Sequence, residues 1–409
     1  GAMLHSVVAA TAGERPARAA VYERVLRKPS SAAAPPPLLL APMEGLADKN
    51  FRRALDSTCR GPDEYCHEFM RIPNACEEGF EQKVVRGVLA EYNAAELSVP
   101  LAAQIMGSSP ELLGEAARQL ALRGAPRIDL NCGCPANCVT GRGAGSAMLR
   151  DPDHINLCLR RIREGATAGA LETCAFPVLS VKMRSVDDRG LFEANLSAAE
   201  EAGVDFLALH PRTREQGYRG AAPWDRIAFA ADFLTLPVIG NGDVTTPAKA
   251  RALLAETGAA AVMIGRGAAQ DPFIFHRIRA ALGGFGGEHV PLPPREEEAA
   301  LVCAFLERYA AVVAEPGKPL SKRKRRRRAR KPFDPNKFRA GKLKQVLKYL
   351  FVSQPRLERE LRPLLSDTTD ADVLLATACA LVMDHWGCDG DPREASVDGF
   401  AGRTAYANA

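Results

Sequence analysis

No apolar run in the 409 residues reaches the roughly 18 that a membrane-spanning helix needs, so no membrane partner is expected. The N-terminal stretch has no apolar core of the secretory kind, which excludes a signal peptide. A dinucleotide-type glycine fingerprint is also missing. The eleven cysteines are odd in number and show no framework spacing, so a disulfide scaffold is excluded and a reducing, intracellular compartment is expected: the cytoplasm, or else the nucleus or an organelle. Cys132, Cys134 and Cys138 lack the paired Cys-x2-Cys knuckle of a structural zinc site and have no fourth Cys or His nearby, so no metal is expected.

What is present is an average globular composition, 46% hydrophobic and 25% charged, with an uneven charge distribution. Residues 318–348 hold fifteen lysines and arginines against the single acid Asp334, so the rest of the chain is net acidic although the whole is +5. A basic block on an acidic body points to a polyanionic partner met at one place, with an import signal or a solvated linker as the alternatives for Lys322–Lys331. Gly1-Ala2-Met3 reads as a cloning remnant, and residues 1–37, ending in Pro35-Pro36-Pro37, as a disordered tail or a transit-like segment.

From Leu38 to about Arg279, short apolar runs alternate with amphipathic stretches. Eight strands are expected, at Leu38–Pro42, Tyr65–Phe69, Leu101–Ile105, Arg127–Asn131, Leu179–Met183, Phe206–His210, Pro237–Asn241 and Ala260–Gly265. Ser109-Pro110 opens one of the helices between them, with serine as the cap and proline at the first position. This alternation predicts an α/β (β/α)8 TIM barrel over 38–290. After Pro291–Pro294, residues 295–400 read as a smaller helical domain carrying the basic insert 318–331.

Strand after strand ends in a chemically able residue: Glu68, Gln104, Asn131, Lys182, His210, Asn241 and Gly265-Arg266. In this fold those ends form the catalytic mouth. Asn241-Gly242-Asp243 and Gly265-Arg266-Gly267 follow the last two strands, where barrels bind phosphate through backbone N–H groups, and Arg266 adds a guanidinium suited to it. Lys182 could form a Schiff base, bind phosphate or stabilise the anionic edge of a reduced flavin, while Gln104 could hydrogen-bond a flavin's pyrimidine edge. Cys134, on the loop Asn131-Cys132-Gly133-Cys134-Pro135, is placed to give or take one proton. Cys132 and Cys138 read as structural.

Seven ordered segments give these residues a family likeness: LLLAPMEGLADKNFR (38–52), QIMGSSPE (104–111), IDLNCGCPANCVTGRGAGSAML (128–149), SVKMR (180–184), LHPRTREQGYRGAAPWD (209–225), VIGNGDV (238–244) and VMIGRGAAQDPFIF (262–275). Together they resemble the tRNA-dihydrouridine synthases, with Pro42-Met43-Glu44-Gly45 and the 131–135 loop closest to the bacterial C branch; AGKLKQVLKYL (340–350) resembles the family's tRNA-binding helices. The resemblance implies an FMN-dependent oxidoreductase, recharged by NADPH, that reduces the C5=C6 bond of specific uridines in tRNA; a monomer is expected. It implies FMN contacts at Pro42, Met43, Glu44, Gln104, Lys182, His210, Asn241, Gly242, Asp243, Gly265 and Arg266, a catalytic Cys134, and Asn131 and Arg184 beside the target base. The alternatives are a barrel flavoenzyme for a free small molecule and a catalytically silent tRNA-binding protein. Where many members carry a lysine shortly after Gly-Cys-Pro, this chain has Asn137-Cys138.

Overall fold

The computed structural model describes residues 20–27, 35–59, 61–75, 79–136, 141, 143–282, 292–313, 334–352 and 354–387. The basic insert 318–331 and the Asn137-Cys138 departure lie outside them.

All the strands pair in parallel. They are β1 (Leu38–Leu40), β2 (Tyr65–Cys66), β3 (Met70–Arg71), β4 (Leu101–Met106), β5 (Arg127–Cys132), β6 (Val178–Arg184), β7 (Phe206–His210), β8 (Val238–Asn241) and β9 (Ala261–Ile264). The sheet runs β1-β9-β8-β7-β6-β5-β4-β2, with β3 also on β4. Its two ends meet where Leu40 N donates to Glu64 O (2.9 Å) and Asp63 N to Leu38 O (2.7 Å), giving the expected barrel. The expected second strand, Tyr65–Phe69, is instead two short pieces. Between them Glu68 accepts from the backbone N–H of Gly45, on the loop after β1, and the chain leaves the ladder.

Side chains alternate across each strand. On β5, Ile128, Leu130 and Cys132 join the helix-facing core, while Arg127, Asp129 and Asn131 point into the barrel. The helices of the outer ring start at sequence-coded caps. Asp48 accepts from Asn50 N and Phe51 N to open α2 (Lys49–Thr58), and Ser109 caps α3 (Pro110–Leu122) as its Ser-Pro pair predicts. Helix α4 (Pro152–Thr173) crosses α3 closely; a Cβ on Gly165 would lie 1.9 Å from Gly114 O, so only glycine fits there.

Within the segment 1–37 expected as a tail, residues Ala20–Leu26 form helix α1, which closes the floor of the barrel. Val21, Tyr22 and Val25 pack on Leu39, Phe206, Ile239 and Ala261, and the Tyr22 hydroxyl donates to Glu64 Oε1 at 2.6 Å. A seven-residue helix with one short apolar stripe leaves little periodicity to detect, and its apolar partners come from four distant strands. Removing residues 1–27 strips that apolar cover, worth about 1.5–3 kcal/mol for each large side chain. We expect the thermal midpoint to fall by roughly 10 °C; an unchanged melt would show that the floor needs no plug.

Completing the outer ring are α5 (Arg189–Glu201), α6 (Asp225–Phe233), α7 (Pro247–Thr257), α8 (Arg266–Gln270) and α9 (Ile274–Leu282). A helical unit follows, made of α10 (Arg295–Val313), α11 (Pro335–Leu350), α12 (Pro355–Asp367) and α13 (Ala371–His385). It is fastened to the barrel by a buried ion cluster. Arg277 donates to Asp271 (2.8 Å) and to both oxygens of Glu298 (3.0 and 2.6 Å), and Trp386 Nε1 donates to Glu298 at 3.2 Å. Phe51 of α2 meets Phe305 of α10 edge-on, and Lys342 of α11 donates to Asp48 at 3.0 Å. This contact sets α11 beside the loop that follows β1, at the rim of the barrel mouth.

Candidate active site

The inward side chains are stacked from floor to mouth. Lowest, Arg127 makes paired 2.8 Å bonds to Glu64. Above it, Asp129 accepts from Arg127 (3.0 Å), from Ser180 and from Gln104 Nε2 (2.7 Å). Gln104 Oε1 accepts from Asn131 Nδ2 at 2.9 Å, and Asn131 Oδ1 accepts the backbone N–H groups of Gly133 and Cys134. Asn131 lies opposite Lys182 in the strand register, which brings the mouth residues of β5 and β6 to one level.

Cations crowd this level. Burial, with help from Arg184, pulls the Lys182 ammonium down to about 8. Burial and the neighbouring Arg184, Lys182, Arg212 and Arg266 hold His210 well below the ordinary imidazole range, so it is neutral at pH 7. Neither Lys182 nor the His210 ring has a hydrogen-bond partner among the described residues. Asp243 is the local counter-charge. Although burial raises its pKa, bonds from Arg212 (2.9 and 2.5 Å), the charge of Arg212, the Ala222 N–H (2.8 Å) and Arg266 (3.2 Å) leave it lowered and ionised. The surplus is positive, which suits an anion.

The loops after β8 and β9 have the backbone such an anion needs. Gly242 has φ +144°, and a Cβ there would press on Ala222, Pro211 and His210. A Cβ at Gly267 would lie 2.3 Å from Val244 O. Gly265 abuts Met43, while Asn241 Nδ2 donates to Met263 O at 2.7 Å and ties β8 to β9.

The cysteine loop leaves β5 at the mouth. Cys134 is half-buried against Met106, Phe69 and Ala144, and its carbonyl accepts from Ser146 N at 3.0 Å. Cys132, two residues earlier, points the other way into the helix-facing core, and burial pushes its thiol well up. Cys132→Ala is therefore expected to leave turnover within about threefold of wild type while costing ~1 kcal/mol or more of stability. A turnover loss matching that of a Cys134 substitution would contradict this division.

Gln104, Asn131, Cys134, Lys182, His210, Asn241–Asp243, Gly265 and Arg266 thus converge on one mouth. Pro42 and Met43 are half-buried on its β1 side. Glu44, in contrast, is exposed and pairs with Arg71 at 2.8 Å. Arg184 is buried and ties two loops together, donating to the carbonyls of Gly133 (2.8 Å) on one and of Thr213 (3.0 Å) and Gly217 (2.9 Å) on the other. Sequence reasoning passed over Arg212 and Tyr218, both inside a quoted motif; the Tyr218 ring lies under the Arg266 guanidinium at 4.3 Å.

The family model described as dihydrouridine synthase matches residues 39–349. A probable tRNA-dihydrouridine synthase of Rhodobacter capsulatus is 38% identical over 70% of this chain and 83% of its own length. The tRNA-dihydrouridine(16) synthase of Cupriavidus necator is 38% identical over 60% of this chain and 74% of its own, and tRNA-dihydrouridine synthase B of Pseudomonas putida 35% over 68% and 76%. Among solved structures, DHODH of Eimeria tenella in complex with ferulenol aligns at a TM-score of 0.45 with 14% identity, over 62% of this chain and 86% of that one.

Proposed function

Because this chain belongs to the dihydrouridine synthase family, whose members are FMN-dependent oxidoreductases acting on tRNA, we propose that the mouth described above reduces the C5=C6 bond of a uridine in tRNA with Cys134 as its acid. The observation that carries the reading is the half-buried Cys134 thiol beside a cation-lined, glycine-edged anion site.

The residues present fit FMN. Arg266 and the backbone N–H groups of the Gly242-Asp243 and Gly265–Gly267 turns would hold its phosphate, with the Asp243 carboxylate orienting Arg266 and Arg212. Lys182, Gln104, His210 and Asn241, with Pro42 and Met43 along one side, would hold the ring. When bound and reduced, FMN supplies hydride; NADPH is the proposed source of its electrons. Lys182 offers a cation to the ring's anionic edge.

Uracil C6 accepts hydride because the C4 carbonyl is conjugated with the C5=C6 bond, and C5 then needs a proton. Cys134 Sγ gives that proton. Asn131 stands one strand position before the loop and is proposed to touch the base; the Arg184 guanidinium keeps the loop against β6. A uridine stacked inside tRNA cannot reach this depth, so the base must be flipped out.

The partner is tRNA, and the surface we assign to it includes α11. Lys337, Lys344 and Lys348 recur along one outward side of that helix. Replacing all three by glutamine is expected to weaken tRNA binding and to lower the slope of log K against log salt by roughly two. Unchanged slopes at two salt concentrations would remove α11 from the RNA contact.

We propose a monomer in a reducing intracellular compartment, most simply the cytoplasm; the eight described cysteines form no disulfide. No helix among the described residues is long and apolar enough to cross a membrane. Within the family, the 42–45 opening and the 131–135 loop favour the bacterial C branch, while the relatives carry both the dihydrouridine(16) and the synthase B names. Mapping dihydrouridine in tRNA from cells with and without this protein tests the function and gives the position: one or a few sites disappear if the reading holds, and none if it fails.

A further inference from the structure

We propose that Asp129 is a positioning residue for Cys134, acting by fixing the orientation of two amides between them. This rests on the reading of Cys134 as the acid.

The hydrogen-bond chain has two ends whose chemistry is unambiguous. At one end the Asp129 carboxylate can only accept. At the other the backbone N–H groups of Gly133 and Cys134 can only donate. Between them stand Gln104 and Asn131, each with a donor end and an acceptor end. Asp129 requires Gln104 to turn its Nε2 downward (2.7 Å), which leaves Oε1 facing Asn131. Oε1 in turn requires Asn131 Nδ2 (2.9 Å), which leaves Oδ1 for the loop. One carboxylate therefore sets the polarity of the whole series. The opposite polarity would set an amide NH2 against two backbone donors and free that side of the cysteine loop.

Asp129 is itself immobilised. It is 1% exposed, and its other oxygen accepts from Arg127 (3.0 Å) and Ser180, with Arg127 clamped in turn on Glu64. Burial makes unmatched donors and acceptors costly, so the orientation is held firmly. Glu64 also accepts the Tyr22 hydroxyl, so the series begins at the floor helix and ends at the catalytic loop.

This dependence of polarity on one carboxylate can be reversed by substitution. Asp129→Asn keeps the size and puts an NH2 where Gln104 finds its acceptor. Gln104 and Asn131 then invert, and the loop loses its Asn131 anchor while keeping the bonds from Arg184 and Ser146. Adding Asn131→Asp supplies acceptors on both sides and matches the inverted Gln104, restoring the anchor with the opposite polarity. Ser180→Ala is the control: it removes a hydrogen bond from Asp129 without changing the polarity.

The readout is the rate at which iodoacetamide alkylates Cys134 in the FMN-loaded protein, read by peptide mass spectrometry alongside thermal melting. It needs no turnover, so it stands even if another group proves to be the acid; that failure would show separately as activity kept by Cys134→Ala. Asp129→Asn is expected to raise the alkylation rate about tenfold, the double variant to return it to within about threefold of wild type, and Ser180→Ala to lower the melting point with the rate unchanged. An unchanged rate in Asp129→Asn overturns the proposal. So does a double variant whose rate is the product of the Asp129→Asn effect and that of Asn131→Asp measured alone, since that marks Asp129 as a charge partner of Arg127 alone.

Discussion

Cys134→Ala is expected to keep its flavin, to accept electrons from NADPH, and to lose about 10²–10⁴ of its rate of dihydrouridine formation. The separation follows from the geometry. The thiol is on the loop after β5, packed on Met106 and Phe69, whereas the cations and glycines assigned to the flavin are on β6 to β9 and the loops that follow. Removing the sulfur therefore takes a proton donor from the substrate side of the mouth and leaves the anion site alone. Stopped-flow reduction followed by a tRNA assay measures the two halves separately. Near wild-type turnover would mean another group protonates C5. Cys132 is not that group, since its thiol faces the helix-side core.

Lys182→Ala is expected to lower affinity for FMN by roughly tenfold to a hundredfold, the usual scale of a charge-assisted contact, and to make the bound flavin harder to reduce. No carboxylate bonds Lys182 among the described residues, so its charge is available to a ligand. The pH dependence has a definite sign. Burial and Arg184 lower Lys182 to about 8, below an ordinary lysine, so the ammonium form is populated below that value and lost above it. An anionic ligand favours the ammonium form. Affinity should therefore hold up to about pH 8 and then fall, by at most tenfold per pH unit. The alanine variant should show no such break. Because unfolding returns Lys182 to its ordinary pKa, this residue also costs the fold stability below about 8, and the cost fades as pH rises from there. Titrating FMN against both proteins between pH 7 and 9.5 checks the break; the same break in the alanine variant would assign it to another group.

The barrel was legible because its strands are short apolar runs whose last inward position is polar, and seven such positions recur in order. Gln104, Asn131, Lys182, His210 and Asn241 all turned out to share one mouth. The deeper polar layers were equally encoded and were missed. Arg127-Ile128-Asp129-Leu130-Asn131 alternates strictly, as does Ser180-Val181-Lys182-Met183-Arg184. In a strand covered by helices on one side, that period puts every polar residue inside the barrel. Reading only the strand ends recovered Asn131 and Lys182 but not Asp129 or Ser180.

Other features had no local signature. Helix α1 depends on a floor assembled from Leu39, Phe206, Ile239 and Ala261, residues spread over more than half the chain. Arg184 has the residue type of a substrate contact. Its bonds to three carbonyls come from how the 131–136 and 211–222 loops pass it, and spacing does not reveal that. The exposed pairing of Glu44 with Arg71 likewise depends on where β3 lies relative to the loop after β1.

Reduction of uridine held in tRNA is the activity proposed for this mouth. It is tested most directly by incubating the FMN-loaded protein with NADPH and unmodified tRNA under exclusion of oxygen, then quantifying dihydrouridine by nucleoside mass spectrometry, with free uridine and orotate as parallel substrates. Dihydrouridine is expected in the tRNA, dependent on Cys134, with no product from the free pyrimidines. Consumption of NADPH with product only from a free pyrimidine, or none from any substrate, would contradict it.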